Sequence, residues 1–204
     1  LSLKDIKPEL PDLTYKVEDL SGIKVLTHKA DLNGLSSINF YFDTSKVPQD
    51  KLHYLSLLSS ILGRVDTDKQ SYEKLSNEMS EYIGSDVAFI ASSIADAKDP
   101  DKYKPEFSAS LLVPEENMPK GLDIVKEIIN GSKFDDKQKI KQIIEQNKSV
   151  LQELLTSGSG IAASTAVNSY MSESGKYTEE LSGLSYYKFL QDIDNNFDAE
   201  WDNI

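Results

Sequence analysis

Residues 51–85 read KLHYLSLLSSILGRVDTDKQSYEKLSNEMSEYIGS, and this stretch decides the fold. It holds two apolar patterns with the three- and four-residue spacing of amphipathic helices, joined by a polar turn. The first pattern, over residues 52–62, is an apolar stripe that Tyr54 and Leu57 broaden. Its residues are Leu52, Tyr54, Leu55, Leu57, Leu58, Ile61 and Leu62. The second follows Ser71, a predicted N-cap, and consists of Tyr72, Leu75, Met79, Tyr82 and Ile83. We predict two central helices, the first with Leu55, Leu58 and Ile61 buried against a sheet.

Strands and further helices are predicted on either side of this stretch. Residues 1–20 form an extended arm with a short strand at 15–17, and residues 23–28 and 35–42 alternate as a β-hairpin does. Later strands are predicted at 86–96 and 107–113. Later helices are predicted at 117–129, from a cap at Asp135 or Asp136 to Leu155, at 161–171 and at 184–193. Residues 1–204 are thus predicted to form one α/β (α+β) sandwich domain. Its mostly antiparallel sheet carries helices on one face, and residues 184–204 form a terminal helix and an acidic tail.

The composition excludes several classes of function. The net charge of −12 argues against nucleic acid, whose phosphates need a basic surface. An acidic surface also attracts basic peptides over long range, although solubility is its more ordinary role. The chain has no cysteine, which excludes disulfides, thiolate zinc sites and cysteine catalysis. No apolar run approaches the roughly 18 residues of a membrane span. We expect a cytoplasmic location, and the first residue, Leu1 rather than Met, indicates a piece of a longer chain.

The two histidines do not form a metal-binding motif. His28 lies in a predicted strand and His53 in the first central helix. In the zinc motif H-x-x-E-H, the glutamate and the second histidine would fall on Ser56 and Leu57 if His53 began the motif. We therefore predict that His53 is a partly buried structural residue. We assign no catalytic, cofactor-binding or metal-binding residue to this chain.

Three shorter motifs resemble known sites but lack essential parts. Residues 192–198 carry oxygen ligands like those of a calcium loop, but Phe197 and Asn203 replace its glycine and its glutamate. Residues 158–160 form a lone G-x-G that follows a helix rather than a strand, which argues against a phosphate site. Ser185 begins an S-x-x-K pattern without its companion motifs. We interpret residues 192–198 as a solvated helix end and Ser185 as a helix cap.

Four stretches together resemble one family. They are LHYLSLLSSILGRVDTDKQSYEKLSNEMSEYIGS at 52–85, KPEFSASLLVPEENMPKGLDIVKEII at 104–129, FDDKQKIKQIIEQNKSVLQELL at 134–155 and ELSGLSYYKFL at 180–190. They resemble the third domain of presequence-protease-like zinc metallopeptidases, the branch of the insulinase and pitrilysin family that includes falcilysin. Members of this branch have four homologous α/β domains in two halves, which close around a chamber that degrades unfolded peptides.

The resemblance implies a non-catalytic domain. The zinc ligands of the family lie in the first domain, in an inverted H-x-x-E-H motif. The helix at 52–62 is similar to the helix of that motif. Aligned on Gly63, the ends of the motif fall on Tyr54 and Leu58 and its glutamate on Leu57, so no catalytic or metal residue is carried over. The resemblance implies zinc only in the catalytic domain of the parent.

The resemblance also implies a role and partners for this chain. It would form part of the chamber wall of a zinc metalloendopeptidase, and by itself it would be inactive. Its partners would be the other domains of the parent chain and the unfolded peptide substrates. The alternative is a structural or protein-interaction domain of a homologue that has lost peptidase activity. A domain taken from such a protein should expose apolar side chains that its neighbours cover, and we expect these near the ends, at Leu3, Ile6, Phe197 and Trp201.

Overall fold

The computed structural model describes residues 14–96, 98–99 and 102–204. It divides into two compact units, the first ending at Gly34 and the second comprising Leu35–Ile204. Most of the predicted arm, with Leu3 and Ile6, lies outside the described residues. The prediction of one domain over residues 1–204 stays a prediction.

The described part of the first unit is an antiparallel hairpin of β1 (Tyr15–Leu20) and β2 (Ile23–His28). Its two-residue turn has positive φ angles at Ser21 (57°) and Gly22 (86°), as the tightest hairpin turns require. The predicted strand at 15–17 is therefore confirmed and extends to Leu20. The predicted pairing of 23–28 with 35–42 is wrong, because this local turn pairs β2 with the strand before it.

The second unit contains a three-stranded antiparallel sheet of β3 (Leu35–Asp43), β4 (Ala88–Ala95) and β5 (Tyr103–Pro114), in the order β3-β5-β4. The predicted pairing of the two later strands is confirmed, with Phe89 opposite Ala109. The predicted strand at 35–42 also forms, but its partner is β5, where Phe40 lies opposite Ala109.

Eight α-helices are described in the second unit, and the short α8 follows the acidic end of α7. They are α1 (Leu52–Ile61), α2 (Tyr72–Tyr82), α3 (Met118–Gly131), α4 (Lys137–Ser157), α5 (Ser159–Met171), α6 (Glu173–Ser182), α7 (Leu184–Asn195) and α8 (Phe197–Glu200). Asp136 caps α4 by accepting a hydrogen bond from the Lys139 N–H at 2.9 Å, which selects one of the two predicted caps. Ser71 precedes α2 as predicted, but Asp66 Oδ1 accepts the Tyr72 N–H at 2.7 Å.

The helices cover one face of the sheet, so the predicted α+β fold is confirmed. The inner face of the sheet is buried with side chains of α2 and α3, and its central residues are Phe89, Phe107, Ala109, Leu111 and Val113. The opposite face leaves Tyr41, Ile90 and Leu112 exposed. Because side chains alternate along each strand, this contrast shows which face the helices cover.

A second core lies among the helices themselves, and α1 belongs to both cores. Leu57 and Ile61 pack with α4 and α7, whereas Leu58 packs against the sheet cluster. The prediction that Leu55, Leu58 and Ile61 are all buried against the sheet is therefore wrong. Leu55 and Leu58 are only half-buried, and Leu55 packs against a small third cluster of Leu52, Tyr177 and Leu181.

The predicted exposure of the C-terminal aromatic residues is also wrong for Phe197, which is 4% exposed. Its ring packs against Trp201, with the ring centroids 5.7 Å apart, and Trp201 is itself partly buried. The Nζ of Lys137 lies 5.7 Å from the Phe197 ring centroid and 5.5 Å from that of Trp201. These contacts hold α8 against α4, so the acidic tail folds onto the helical core.

Candidate functional site

The turn of α1 that resembles a zinc motif is the candidate site, and its histidine faces α6 and α7. The His53 ring stacks on Phe189, with centroids 4.9 Å apart and planes 20° apart, and lies 6.4 Å from the Tyr186 ring. Its Nε2 lies 2.9 Å from the Glu180 carboxylate, and both side chains are about one-fifth exposed, at 19% and 20%. This agrees with the predicted partial burial of His53. The ring therefore joins three helices.

The contact of His53 with Glu180 is close but does not have hydrogen-bond geometry. Nε2 is buried and makes no hydrogen bond of normal geometry to any described residue, although the carboxylate lies within 3 Å. A zinc ion in a catalytic site takes three protein ligands and keeps a position for water. One histidine and one carboxylate, with aromatic rings on the remaining side, do not provide that set.

The other positions of the motif take part in packing. Ser56 Oγ is buried and donates a hydrogen bond of 2.7 Å to the Leu181 carbonyl. Leu57 is 2% exposed and belongs to the helical core. Tyr54 meets Phe189 edge-on at 5.0 Å, and burial, followed by the Glu200 charge, raises the pKa of its phenol. In both registers of the motif, the side chains thus serve packing: those of His53, Tyr54, Ser56 and Leu57 contact the neighbouring helices, and that of Leu58 packs against the sheet cluster.

Tyr186 lies beside this site, and the pKa of its phenol is strongly raised. Burial raises its pKa well above the ordinary value, and the nearby Ser60 hydroxyl opposes the shift. That hydroxyl donates to the Leu57 carbonyl at 2.7 Å, and the Tyr186 hydroxyl makes no hydrogen bond of normal geometry to the described residues. The folded protein therefore holds Tyr186 as a neutral phenol.

Tyr186→Phe should reduce the alkaline sensitivity of the fold. The pKa of Tyr186 is higher in the folded state than in the unfolded state, where it is about 10. The folded state is therefore not destabilised by this residue below about pH 10, and it loses stability as the pH rises above that value, because only the unfolded state releases the proton there. We expect equal urea stabilities at pH 7 within about 1 kcal/mol, because the hydroxyl lacks a partner. Between about pH 9 and 11, wild type should lose more stability than the variant. Parallel pH profiles would contradict this assignment.

The remaining sequence motifs do not form sites in the described structure. Asp194 lies in α7 and pairs with Lys148, and Asp198 pairs with Lys137 at 2.9 Å, so residues 192–198 are helical rather than a calcium loop. Ser185 is not the cap of α7, because Gly183 occupies that position. Residues 158–160 lie at the junction of α4 and α5.

Glu179 supplies the capping interaction that sequence analysis assigned to Ser185. One carboxylate oxygen of Glu179 accepts the Ser185 N–H at 3.0 Å, and the other accepts the Ser185 hydroxyl at 2.6 Å. A carboxylate at a helix N-terminus satisfies free N–H groups and complements the helix dipole. The end of α6 thus fixes the start of α7, and with it the position of Phe189 relative to α1.

His28 lies in β2 of the first unit, where its Nδ1 is 2.6 Å from the Thr14 carbonyl. Within the described ranges, no group of three or more histidine, aspartate or glutamate side chains is placed to hold a metal ion. None of the helices that the structure describes is both long and apolar enough to cross a membrane.

Glu180 and Phe189, whose side chains contact the His53 ring, could not be identified from the sequence as site residues. Glu180 lies in α6, a helix that was not predicted, whereas Phe189 lies in the helix predicted at 184–193, where no motif marks it as a neighbour of His53. A usable signal was present in Ser172, which caps α6 by accepting the Gly175 N–H at 3.0 Å. Tyr177 and Leu181 follow with the four-residue spacing of a helix, and both are buried.

The fold and the site define an α+β domain whose zinc-motif turn is engaged in packing. Residues 1–193 match the family described as peptidase M-16C associated, and the chain belongs to this family. The chain is 33% identical to Protein HypA of Clostridium perfringens over 194 residues, which are 95% of this chain and 20% of HypA. The match to a peptidase-associated family confirms the resemblance found in the sequence.

Further relatives agree with this family. The chain is 25% identical to presequence protease 1, chloroplastic/mitochondrial, of Arabidopsis thaliana, over all of this chain and 19% of the relative. It is 20% identical to the mitochondrial presequence protease of Xenopus laevis, over 95% of this chain and 19% of that protein. The chain thus spans about a fifth of the length of the curated relatives it matches.

A solved structure supports the fold. A conserved protein from Enterococcus faecalis V583 superposes with a TM-score of 0.51 and 18% sequence identity, covering 78% of this chain and 40% of that protein. At this identity the similarity concerns the fold alone.

Proposed function

We propose that this chain is a non-catalytic domain of a larger zinc-dependent peptidase, and that it forms part of the wall of a chamber that encloses unfolded peptides. One observation carries the proposal: the α1 turn that corresponds to the zinc motif is filled by packing contacts. His53 stacks on Phe189, and Leu57 is buried in the helical core. Membership of a peptidase-associated family supports the peptidase context. In this proposal, α1 keeps the architecture of a peptidase domain and contributes no chemistry.

The proposal assigns the zinc to another part of the parent chain. The residues of the α1 turn do not fit a zinc ion, because leucine is not a ligand and serine and tyrosine hydroxyls are poor ligands at neutral pH. A general base beside a metal-bound water is also needed, and both registers of the motif lack a glutamate. We therefore expect an H-x-x-E-H motif elsewhere in the full-length protein. The lack of cysteine supports the cytoplasm as the proposed compartment.

The 204-residue chain by itself should bind no stoichiometric zinc and cleave no peptide. In the full-length protein, His53→Ala should leave the zinc content and the cleavage of an unstructured peptide unchanged, because His53 only packs helices together. The measurements are metal analysis after dialysis and peptide turnover with and without a chelator. Replacing a histidine of the upstream H-x-x-E-H motif is the matched control and should abolish both.

Two outcomes would contradict the proposal. One tightly bound zinc per 204-residue chain, with chelator-sensitive cleavage that His53→Ala abolishes, would make this domain catalytic. A full-length protein that binds no zinc and cleaves no peptide would instead favour a structural or interaction domain in an inactive homologue.

A further inference from the structure

The segment around α5 has a composition unlike the rest of the chain. Residues 154–172 contain no charged side chain, although 27% of the whole chain is charged. The segment is folded: it comprises the end of α4, all of α5 and the cap of α6. Helices on the surface of an acidic soluble protein normally carry charges on their wet face, as α4 does with Lys141 and Glu145. The lack of charge indicates that this helix is not suited to face water.

The apolar side chains of α5 are nevertheless exposed in this structure. Tyr170 is 92% exposed and Met171 is 74% exposed. None of the described side chains of α5 is buried, whereas α3, of similar length, buries four residues. Further exposed apolar side chains lie on α5 and on the adjoining ends of α4 and α7, at Val150, Leu154, Ile161, Val167 and Leu184. We call these seven residues the α5 surface.

The α5 surface is concave where the three helices meet. A groove of about 210 Å³ lies between them and is lined by Leu155, Ile161, Ala162, Ala166 and Leu184, among others. Small side chains such as these alanines let a second helix approach closely, because ridges of one helix pack into the grooves of another. Large exposed apolar patches on soluble proteins mark interaction sites. The shape and the composition therefore fit an apolar helical partner.

We propose that the α5 surface is an interface that packs against an apolar, helical surface of another domain of the same polypeptide. This inference rests on the proposed function, in which the chain is one domain of a larger peptidase. The length of the relatives supports an internal partner, since about four fifths of each lies outside the part this chain matches. A covalently linked partner also avoids the entropy that association of separate molecules costs.

Charge argues against the other occupants. A basic peptide would be attracted by the acidic parts of the chain, and the seven residues of the α5 surface include no carboxylate. Glu179 lines the groove, but its two carboxylate oxygens already accept the N–H and the hydroxyl of Ser185. A second copy would bring a further net charge of −12 next to the contact and would be repelled. A neutral, apolar partner held in the same polypeptide meets neither difficulty.

The test is the accessibility of the α5 surface in the full-length protein. Val167→Cys and Tyr170→Cys are made singly, and labelling by a maleimide is followed by mass spectrometry of the relevant peptide. This region has no native thiol to interfere. Lys74→Cys and Gln142→Cys, at exposed positions on α2 and α4, are the matched controls. We expect both α5 positions to label more than about tenfold more slowly than the controls, because labelling requires the interface to open.

The oxidation of Met171 in the wild-type protein tests the same surface without a substitution, so the proposal can be tested even if a cysteine variant does not fold. Met171 is exposed in this structure, so peroxide should oxidise it rapidly unless another domain covers it. We expect its oxidation in the native full-length protein to be more than about tenfold slower than after unfolding.

Each other outcome overturns the proposal. Rapid labelling and oxidation in the full-length protein would show that nothing covers α5. Protection that disappears on dilution, together with a dimeric mass, would identify a second copy. Protection that requires an added unstructured peptide would identify a substrate-binding surface. None of these readouts depends on zinc or on cleavage, so failure of the interface is distinguishable from failure of the peptidase proposal.

Discussion

Leu57→Ala is expected to lower the free energy of unfolding by about 2–5 kcal/mol, the range measured for buried leucines. Leu57 is 2% exposed and lies where α1, α4 and α7 meet, in a cluster that includes Ile143 and Leu190. Those neighbours belong to different helices and cannot collapse into the space without moving their backbones, so a cavity should remain. Urea unfolding at pH 7 measures the change.

Two control variants, Leu58→Ala and Val150→Ala, distinguish the effect of losing a buried side chain from the effect of changing helix propensity. Leu58→Ala changes the neighbouring residue of the same helix, and because Leu58 is only half-buried it should cost less than Leu57→Ala. In the 204-residue chain, where Val150 is exposed, Val150→Ala should change stability by less than about 0.5 kcal/mol. If Leu57→Ala were no more destabilising than Val150→Ala, α1 would not be the centre of the fold.

Local periodicity was enough to predict the elements of the core. The spacing of apolar residues in 52–62 and 72–83 predicted α1 and α2, and the alternation in 86–96 and 107–113 predicted β4 and β5 in their true pairing. These segments bury one definite face, and a buried face leaves a pattern in the sequence. The pattern could not assign Leu57 and Leu58 to different cores, because that depends on where α4 and α7 pack.

Elements whose positions depend on turns or caps were predicted less well. The partner of β2 was wrong because Ser21 and Gly22 form a two-residue turn, and the Ser–Gly pair was not given that role. The helix α6 was not predicted, although Ser172 caps it by accepting the N–H of Gly175 in its first turn. Turn and cap chemistry involves single residues, so it gives a weaker signal than a repeating pattern.

In the candidate site, too, local features could be predicted from the sequence and contacts between distant helices could not. The lack of a second histidine and of a glutamate in the α1 turn could be found directly from the residues at Ser56 and Leu57. The side chains that pack around His53 could not be found in this way, because Glu180 and Phe189 lie on helices far along the chain from His53. A non-local contact between a histidine and an aromatic ring requires the packing of three helices to be known.

Gly175→Ala should destabilise the fold by about 1–3 kcal/mol, as inserting an extra methyl into a packed region does. A Cβ at this position would lie 2.2 Å from the Asn168 carbonyl oxygen and 2.6 Å from its carbon, both in the backbone of α5. A backbone carbonyl cannot rotate away as a side chain can, so α5 and α6 would have to separate at their junction. Urea unfolding measures the cost, and circular dichroism measures any lost helix.

Gly160→Ala is the matched control, because it makes the same change at a helical position with open space. A Cβ there would meet nothing within 4 Å, so the gain in helix propensity of up to about 1 kcal/mol is not offset by a clash. We expect the two variants to change the free energy of unfolding in opposite directions. If Gly175→Ala were as stabilising as Gly160→Ala, the close approach of α5 and α6 would not be a constraint on the fold. The orientation of α6, which brings Glu180 to His53, would then depend on its other contacts, such as those of Tyr177 and Leu181 and the bonds from Glu179 to Ser185.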